Sequence, residues 1–301
     1  MTSVIGRPRY EGSNICTWIG FKHVMYLVEE AVLAHLRDGG SVPRQLYERD
    51  ALGVEIVDSD TRIATALHMD EQVRTEVVGE TLTFRTASYV DRPDGDGVKT
   101  LRAATATVRV QLVPAGDVGT PRVSVPPVPV GTTMVVGRGT QGVDALIAPV
   151  VGDSNAFVWR WRIPYFYCHF SERLQHSGYL RLMEEVVDLF LAARGISIRD
   201  MLAGQRWIPV VPRAQLRILR PALMEEEIYT VLTVEDIFKD LLYTARMDCY
   251  VPRDGVLAHT ATGRITHGYA EVVDRGTWRH VPFDDKTMDA LRGRPTLRIG
   301  H

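Results

Sequence analysis

The 301-residue sequence has few cysteines, no marked excess of either charge and no long apolar run. Its three cysteines, Cys16, Cys168 and Cys249, are widely spaced and form no CxxC. That argues against a disulfide framework or structural zinc and fits a reducing, cytoplasmic setting. Thirty-five Lys and Arg against 37 Asp and Glu leave a net charge of −2 with no basic cluster. A nucleic-acid or anionic-membrane partner therefore has no electrostatic footprint. No apolar run approaches the roughly 18 to 20 residues that span a bilayer. The opening MTSVIGRPRYEG carries no signal-peptide core. HExxH, GxSxG and a P-loop are absent, and the glycine-rich GRGTQG string at 137–142 is too weak a match to use, so no metal or other cofactor is implied. What is present is ordinary globular composition, 45% hydrophobic and 24% charged. The length suits one large domain or two of about 150 residues.

The strongest positive signal is an internal repeat. At an offset of 155 residues, Glu29–Val77 matches Glu184–Leu232 at 11 of 49 positions without a gap. About three matches would arise from ordinary composition. They include Glu29/Glu184, Glu30/Glu185, Val32/Val187, Leu36/Leu191, Gly40/Gly195, Arg62/Arg217 and Met69/Met224. At the same offset the pattern A-x-T-A-T-x-R occurs at Ala103–Arg109 and again at Ala258–Arg264. The chain reads as two copies of one unit, residues 1–113 and 155–301. Between them, 114–154 is rich in Pro and Gly and shows neither helical nor strand period, which reads as a linker.

Each copy has the same order of elements. In the second, Trp159–Phe170 has the aromatic and β-branched weight of a strand. A polar turn with His169, Ser171 and His176 follows. A helix then starts at Gly178 or Tyr179, with Leu180, Met183, Val186, Val187, Phe190 and Leu191 at helical spacing and Gly195 at its stop. Strand-like runs come next at Arg213–Ile218, Glu227–Val234, Leu241–Val251 and Gly255–Val273. On the last of these, strict alternation puts Thr260, Thr262, Arg264 and Thr266 on one face and His259, Ile265 and His267 on the other. The first copy has its helix at about Val24–Arg37 and strands at about Thr61–Met69, Gln72–Val90 and Val98–Val113. One long helix followed by an antiparallel meander is an α+β pattern, the helix packed on a curved sheet.

This order, with the aromatic strand and polar turn before the helix, resembles the hotdog fold. It is most similar to the thioesterases of the 4-hydroxybenzoyl-CoA type and their tandem double-hotdog members. Tyr179-Leu180 matches the family's start-of-helix pair, and Glu184-Glu185 its acidic pair. His169 stands where the family has its catalytic Asp, and Gln175 and His176 where it has Asn-Asn. The resemblance implies an enzyme acting on an acyl thioester of coenzyme A or an acyl carrier protein, without cofactor. Hotdog sheets pair edge to edge, so two units in one chain can form the minimal pair, and further dimerisation of the chain is compatible with it.

The chemistry needs a polarised carbonyl and a base. Backbone N–H groups at a helix N-terminus favour developing negative charge, which points to Gly178 and Tyr179. Gly178, lacking a side chain, would let an acyl chain approach the backbone. His169 is the first candidate base and His176 the second, with Ser171 orienting a water. Both histidines could instead be turn residues making hydrogen bonds. Glu184 and Glu185 are further carboxylate candidates, against a simple solvent-facing stripe. In the first copy Asn14 replaces His169, Cys16 replaces Ser171 and Phe21 replaces His176. A two-residue gap would instead set His23 and Tyr26 against His176 and Tyr179. Hydrolysis is the leading expectation. A hotdog dehydratase, hydratase or cyclase and a non-catalytic acyl-binding module are the alternatives.

Overall fold

In the computed structural model, two 18-residue helices start 155 positions apart. They are α1, Phe21–Asp38, and α4, His176–Ala193. Both carry apolar residues three and four apart, which gives each a buried stripe. In α1 that stripe includes Val24, Met25, Val28, Ala31, Val32 and Leu36. In α4 it includes Leu180, Met183, Val186, Val187, Phe190 and Leu191. Both helices end the same way. Gly40 and Gly195 adopt φ of 85° and 76°. Just beyond them the N–H of Ser41 reaches back to Leu36 O, and that of Ile196 to Leu191 O. A left-handed residue there satisfies the orphan carbonyls of the last turn, and glycine enters that region without a Cβ penalty.

The structure describes residues 1–14, 17–115, 133–134, 143–152, 154–168, 171–274, 277–293 and 296–299. The chain divides into two compact units, Met1–Pro126 with Val211–Gln215, and Pro127–Val210 with Leu216–His301. The first contains β1 (Thr2–Gly6), α1, α2 (Pro43–Asp50), β2 (Leu52–Ile63), β3 (Val73–Glu80), β4 (Thr83–Asp94) and β5 (Gly97–Pro114). Its strands lie in the order β1-β3-β4-β5-β2, all antiparallel. Val28, Ala31, Val32 and Leu36 of α1 pack on Ile56, Val77, Phe84, Ala106, Val108 and Val110 of the sheet.

The second unit begins inside the expected linker. A two-residue strand β6 (Thr133–Met134) pairs with the later strand β11, and α3 (Val143–Val151) follows it. Leu146 and Ile147 of α3 are buried among Val158, Tyr229, Val231, Tyr250 and Leu257. Part of 114–154 is thus built into the second unit, because a short apolar helix finds an uncovered apolar sheet face. After it come β7 (Phe157–Arg162), α4, α5 (Ile198–Gln205), β8 (Trp207–Ile218), β9 (Glu227–Phe238), β10 (Leu242–Arg253) and β11 (Val256–Val272). The chain ends with β12 (Trp278–Val281), α6 (Asp285–Arg292) and β13 (Thr296–Ile299). The strand order is β8-β11-β10-β9-β7-β13, with β12 on β11. Among the described residues, no helix is long and apolar enough to cross a membrane.

Five expectations change. The strand expected over Trp159–Phe170 stops at Arg162 and gives way to a 3₁₀ turn at Tyr165–Tyr167. Pro164 has no N–H to give a ladder, so the run cannot continue as a strand. In the first unit the run expected at Thr61–Met69 is the tail of a strand that begins at Leu52. The run at Gln72–Val90 is two strands, reversed at Thr81 and Leu82, which take φ of 51° and 65°. The helices start two or three residues earlier than the apolar pattern suggests, because their first turns carry Lys22 or Ser177. The last strand loses its alternation at a bulge between Cys249 and Tyr250, where Thr260 is the extra residue on β11. Thr260 is fully buried and its hydroxyl donates to Cys249 O at 3.1 Å. His259 consequently joins Asp248 and Thr262 rather than Ile265 and His267, its Nε2 3.3 Å from Asp248 Oδ1. A bulge inserts one residue and shifts the faces beyond it.

Candidate active site

The turn between β7 and α4 is shaped by aromatic packing and by backbone pairing to a distant loop. Trp159 and Trp161 stack at 5.4 Å, and Tyr167 meets Trp161 edge-on at 5.7 Å. After the 3₁₀ turn, Cys168 bridges to Leu174, and Arg173 bridges to Leu223. Leu174 N–H donates to Ala222 O, and Met224 N–H to Glu172 O, both at 2.8 Å. Glu172 takes a left-handed φ of 59° so that the chain can reverse there. The half-buried Cys168 thiol is pushed up to about 11 by burial and then by Glu172, so it stays protonated at neutral pH.

The loop that receives this turn is clipped from below. Arg253 Nε and Nη2 donate to Glu226 Oε1 and Oε2 at 2.8 and 2.6 Å, and Nη2 also reaches Pro221 O. Glu226 Oε2 in turn accepts the Leu223 N–H at 2.7 Å. The fork geometry of guanidinium and carboxylate fixes the loop's direction. The Glu226 hydrogen bond raises the Arg253 pKa against desolvation, with a further contribution from nearby Tyr179. The first unit repeats the clip with Arg92, Glu71, Ala66 O and the His68 N–H. Neither arginine was picked out from the sequence. Glu71/Glu226 recur at offset 155, but Arg92/Arg253 recur at 161, so an ungapped comparison misses them.

The candidate residues fall as follows. His176 is the first residue of α4 and is buried. Ser171 is half-buried in the turn, while His169 lies outside the described residues. Tyr179 is fully buried, and its N–H donates to Gln175 O at 3.1 Å, closing the first helical bond. It is therefore engaged within the helix, and Gly178, one residue earlier, is the candidate left for carbonyl polarisation. Gly178 has no room beside it for an acyl chain on its Cβ side. A Cβ there would lie 2.7 Å from Leu174 Cδ1 and 3.1 Å from Tyr167 O. Glycine at this place lets the turn close on the helix. Glu184 is half-buried, whereas Glu185 is exposed and has a raised pKa from desolvation, Asp188 and Glu184.

In the first unit, Asn14 is exposed, its N–H donating to Trp18 O at 2.8 Å. Cys16 lies outside the described residues. His23 is buried, edge-on to Tyr26 at 5.1 Å. The gapped match of His23 to His176 fails, because α1 and α4 begin 155 apart and this register sets His23 opposite Gly178.

No protein-family model matches the sequence, and no curated protein matches it. Solved structures do match in fold. An oleoyl thioesterase (putative) from Lactobacillus plantarum is 10% identical, covering 93% of this chain and 95% of its own, with a TM-score of 0.55. A 12:0-ACP thioesterase from Umbellularia californica is 12% identical, covering 93% and 97%, with a TM-score of 0.53. An acyl-ACP thioesterase from Bacteroides thetaiotaomicron is 11% identical, covering 88% and 97%, with a TM-score of 0.51. Over most of its length, then, the chain has the fold of the hotdog acyl thioesterases that its sequence pattern resembles.

Proposed function

We propose that the chain is a double-hotdog thioesterase that hydrolyses an acyl thioester of coenzyme A or an acyl carrier protein, with its main site at the turn before α4. The observation that carries this reading is the buried His176 at the first residue of an 18-residue helix, two residues from Gly178. The helix dipole favours an oxyanion at that end, and the Gly178 N–H is the donor assigned to it. His176 and His169 share the base role, the neutral imidazole taking a proton from water as it attacks the acyl carbon. Ser171 orients that water. Full-length likeness to chains named for thioester hydrolysis supports the reaction class.

The test is thiol release from a panel of acyl-CoA and acyl-carrier thioesters. Loss of the general base lowers turnover roughly a hundredfold. His176→Ala and His169→Ala are each expected to show a loss of that order while Glu185→Gln is near wild type. Full activity in both histidine variants would sink the assignment. Enoyl product without free thiol would turn the reading toward a dehydratase.

A further inference from the structure

The turn before α1 carries a hydroxyl–imidazole couple. Thr17 Oγ1 lies 3.1 Å from His68 Nδ1. With the ring proton on Nε2, Nδ1 accepts the hydroxyl proton, which is the separation expected of a nucleophile and its base. The couple is held by backbone rather than by chance contact. Met69 N–H donates to Thr17 O at 3.0 Å, Ile19 N–H to Leu67 O at 2.8 Å, and Trp18 bridges to His68. The His68 N–H is anchored on Glu71 Oε2 at 2.8 Å, and Glu71 is held by Arg92. The Trp18 indole stands edge-on to the imidazole at 6.4 Å. Thr17 itself takes a φ of 64°, uncommon for a β-branched residue. Both side chains are half-buried, so neither is sealed from a substrate.

The second unit reproduces this frame with different residues at the two equivalent positions. There Met224 N–H donates to Glu172 O, Leu174 N–H to Ala222 O, and Glu226 accepts the Leu223 N–H. Glu172 and Leu223 occupy the places of Thr17 and His68, so scaffolding alone does not call for a hydroxyl facing an imidazole. The first unit's helix opens at Phe21, four residues after Thr17, and brings its N-terminal dipole to the same turn.

We infer that Thr17 and His68 form a second acyl-transfer site, in which Thr17 is the nucleophile and His68 its base. This rests on the thioesterase reading for its substrate but not for its readout. Thr17 Oγ1 attacks the acyl carbon, the C–O bond forms as the C–S bond breaks, and the hydroxyl proton passes to His68 Nδ1. From there it goes to the leaving thiolate. Water then attacks the Thr17 ester, His68 taking its proton, and releases the carboxylic acid with the hydroxyl restored. Burial and then Arg92 lower the His68 pKa, partly countered by Glu71, so the ring starts neutral at pH 7 as the first step requires.

The experiment is acid-quenched mass spectrometry of the full chain after brief exposure to decanoyl-CoA and, separately, to p-nitrophenyl decanoate. The second donor loads a nucleophile even if the chain hydrolyses no thioester, so failure of the thioesterase reading leaves this result readable. An ester adduct of one decanoyl group on Thr17 is expected with the p-nitrophenyl donor. Thr17→Ser retains it, Thr17→Val abolishes it, and His68→Ala slows its formation roughly a hundredfold. His176→Ala, in the other unit, leaves the adduct unchanged. Absence of adduct from folded wild type, an adduct that persists in Thr17→Val, or acylation of Cys16 instead would each overturn the proposal. Circular dichroism of Thr17→Val and Thr17→Ser checks that the turn still folds.

Discussion

The two turns reach the same backbone path with opposite distributions of bulk. In the first unit Gly12 lies under His23, and a Cβ on Gly12 would come within 2.5 Å of His23 Cγ. In the second, the corresponding positions hold Tyr167 and Gly178, and it is the helix residue that has no side chain. The pair Gly12 with His23 has become Tyr167 with Gly178, a large residue traded across one contact. Close packing explains why the two changes travel together, since a core leaves no space for both side chains and closes poorly around neither. The trade also changes what each turn presents. The second builds an aromatic wall from Trp161 and Tyr167 and leaves His176 at the helix start. The first has Phe21 there and draws its imidazoles from elsewhere, His23 from the helix and His68 from the loop after β2.

The largest way to break this comparison is to make half the trade. Gly178→His alone should destabilise by about 3 kcal/mol, the upper range for forcing a side chain into a packed site. Adding Tyr167→Gly should recover more than half of that, because the contact it relieves is the one that was strained. Denaturant unfolding of the two single variants and the double variant measures the coupling. If the double variant is as unstable as the sum of the singles, the two positions do not compensate.

The next test concerns the shared clip. Arg253→Met leaves Glu226 without its two charge-assisted bonds and Pro221 O without its donor. About 2 kcal/mol is expected, since hydrogen bonds to charged groups carry roughly 1.5 to 3. Arg92→Met should cost a similar amount in the first unit. The readouts separate the two. Arg253→Met should lower thiol release by loosening the loop under the turn before α4, while Arg92→Met should instead slow acylation of Thr17. Identical activity profiles for both would mean that the clips serve stability alone.

These elements differ in how far the sequence announces them. Both central helices and their stops were legible, because amphipathic spacing and Gly40/Gly195 are local signals repeated at one offset. The reversals at Thr17 and Glu172 were not, since neither residue is a glycine and the left-handed φ is imposed by pairing to a remote loop. The A-x-T-A-T-x-R match misled by two residues. The bulges at Ser88/Tyr89 and Cys249/Tyr250 make Ala103 the counterpart of Thr260, not of Ala258. Helix α3 was hidden by its setting, a nine-residue apolar helix that contains Pro149 within a Pro- and Gly-rich stretch. Among the proposed site residues, His176, Ser171 and the glycine at 178 are suggested by motif spacing. His68 is not, as nothing in its neighbourhood marks it as a partner for Thr17 51 residues earlier.

The smallest expected effect concerns the acidic pair that both helices keep. Glu29 and Glu30 of α1 are followed by Leu33, whereas Glu184 and Glu185 of α4 are followed by Asp188. Desolvation, then Asp188 and Glu184, raises the Glu185 pKa. A carboxyl that is harder to ionise when folded holds more protons in the native than in the unfolded state as pH rises past its ordinary value. Stability therefore falls across that window, starting near 4.5. Glu185 is exposed, so solvent screening limits the effect to a few tenths of a kcal/mol. Asp188→Leu restores the first unit's residue and removes one of the two repelling charges. It should stabilise the chain slightly at pH 7, change little at pH 4, and lose part of its advantage in high salt. Chemical denaturation at pH 4 and pH 7, with and without added salt, measures this. An equal shift at both pH values would mean that the introduced leucine acts through packing, and that the Asp188 carboxylate is electrostatically silent.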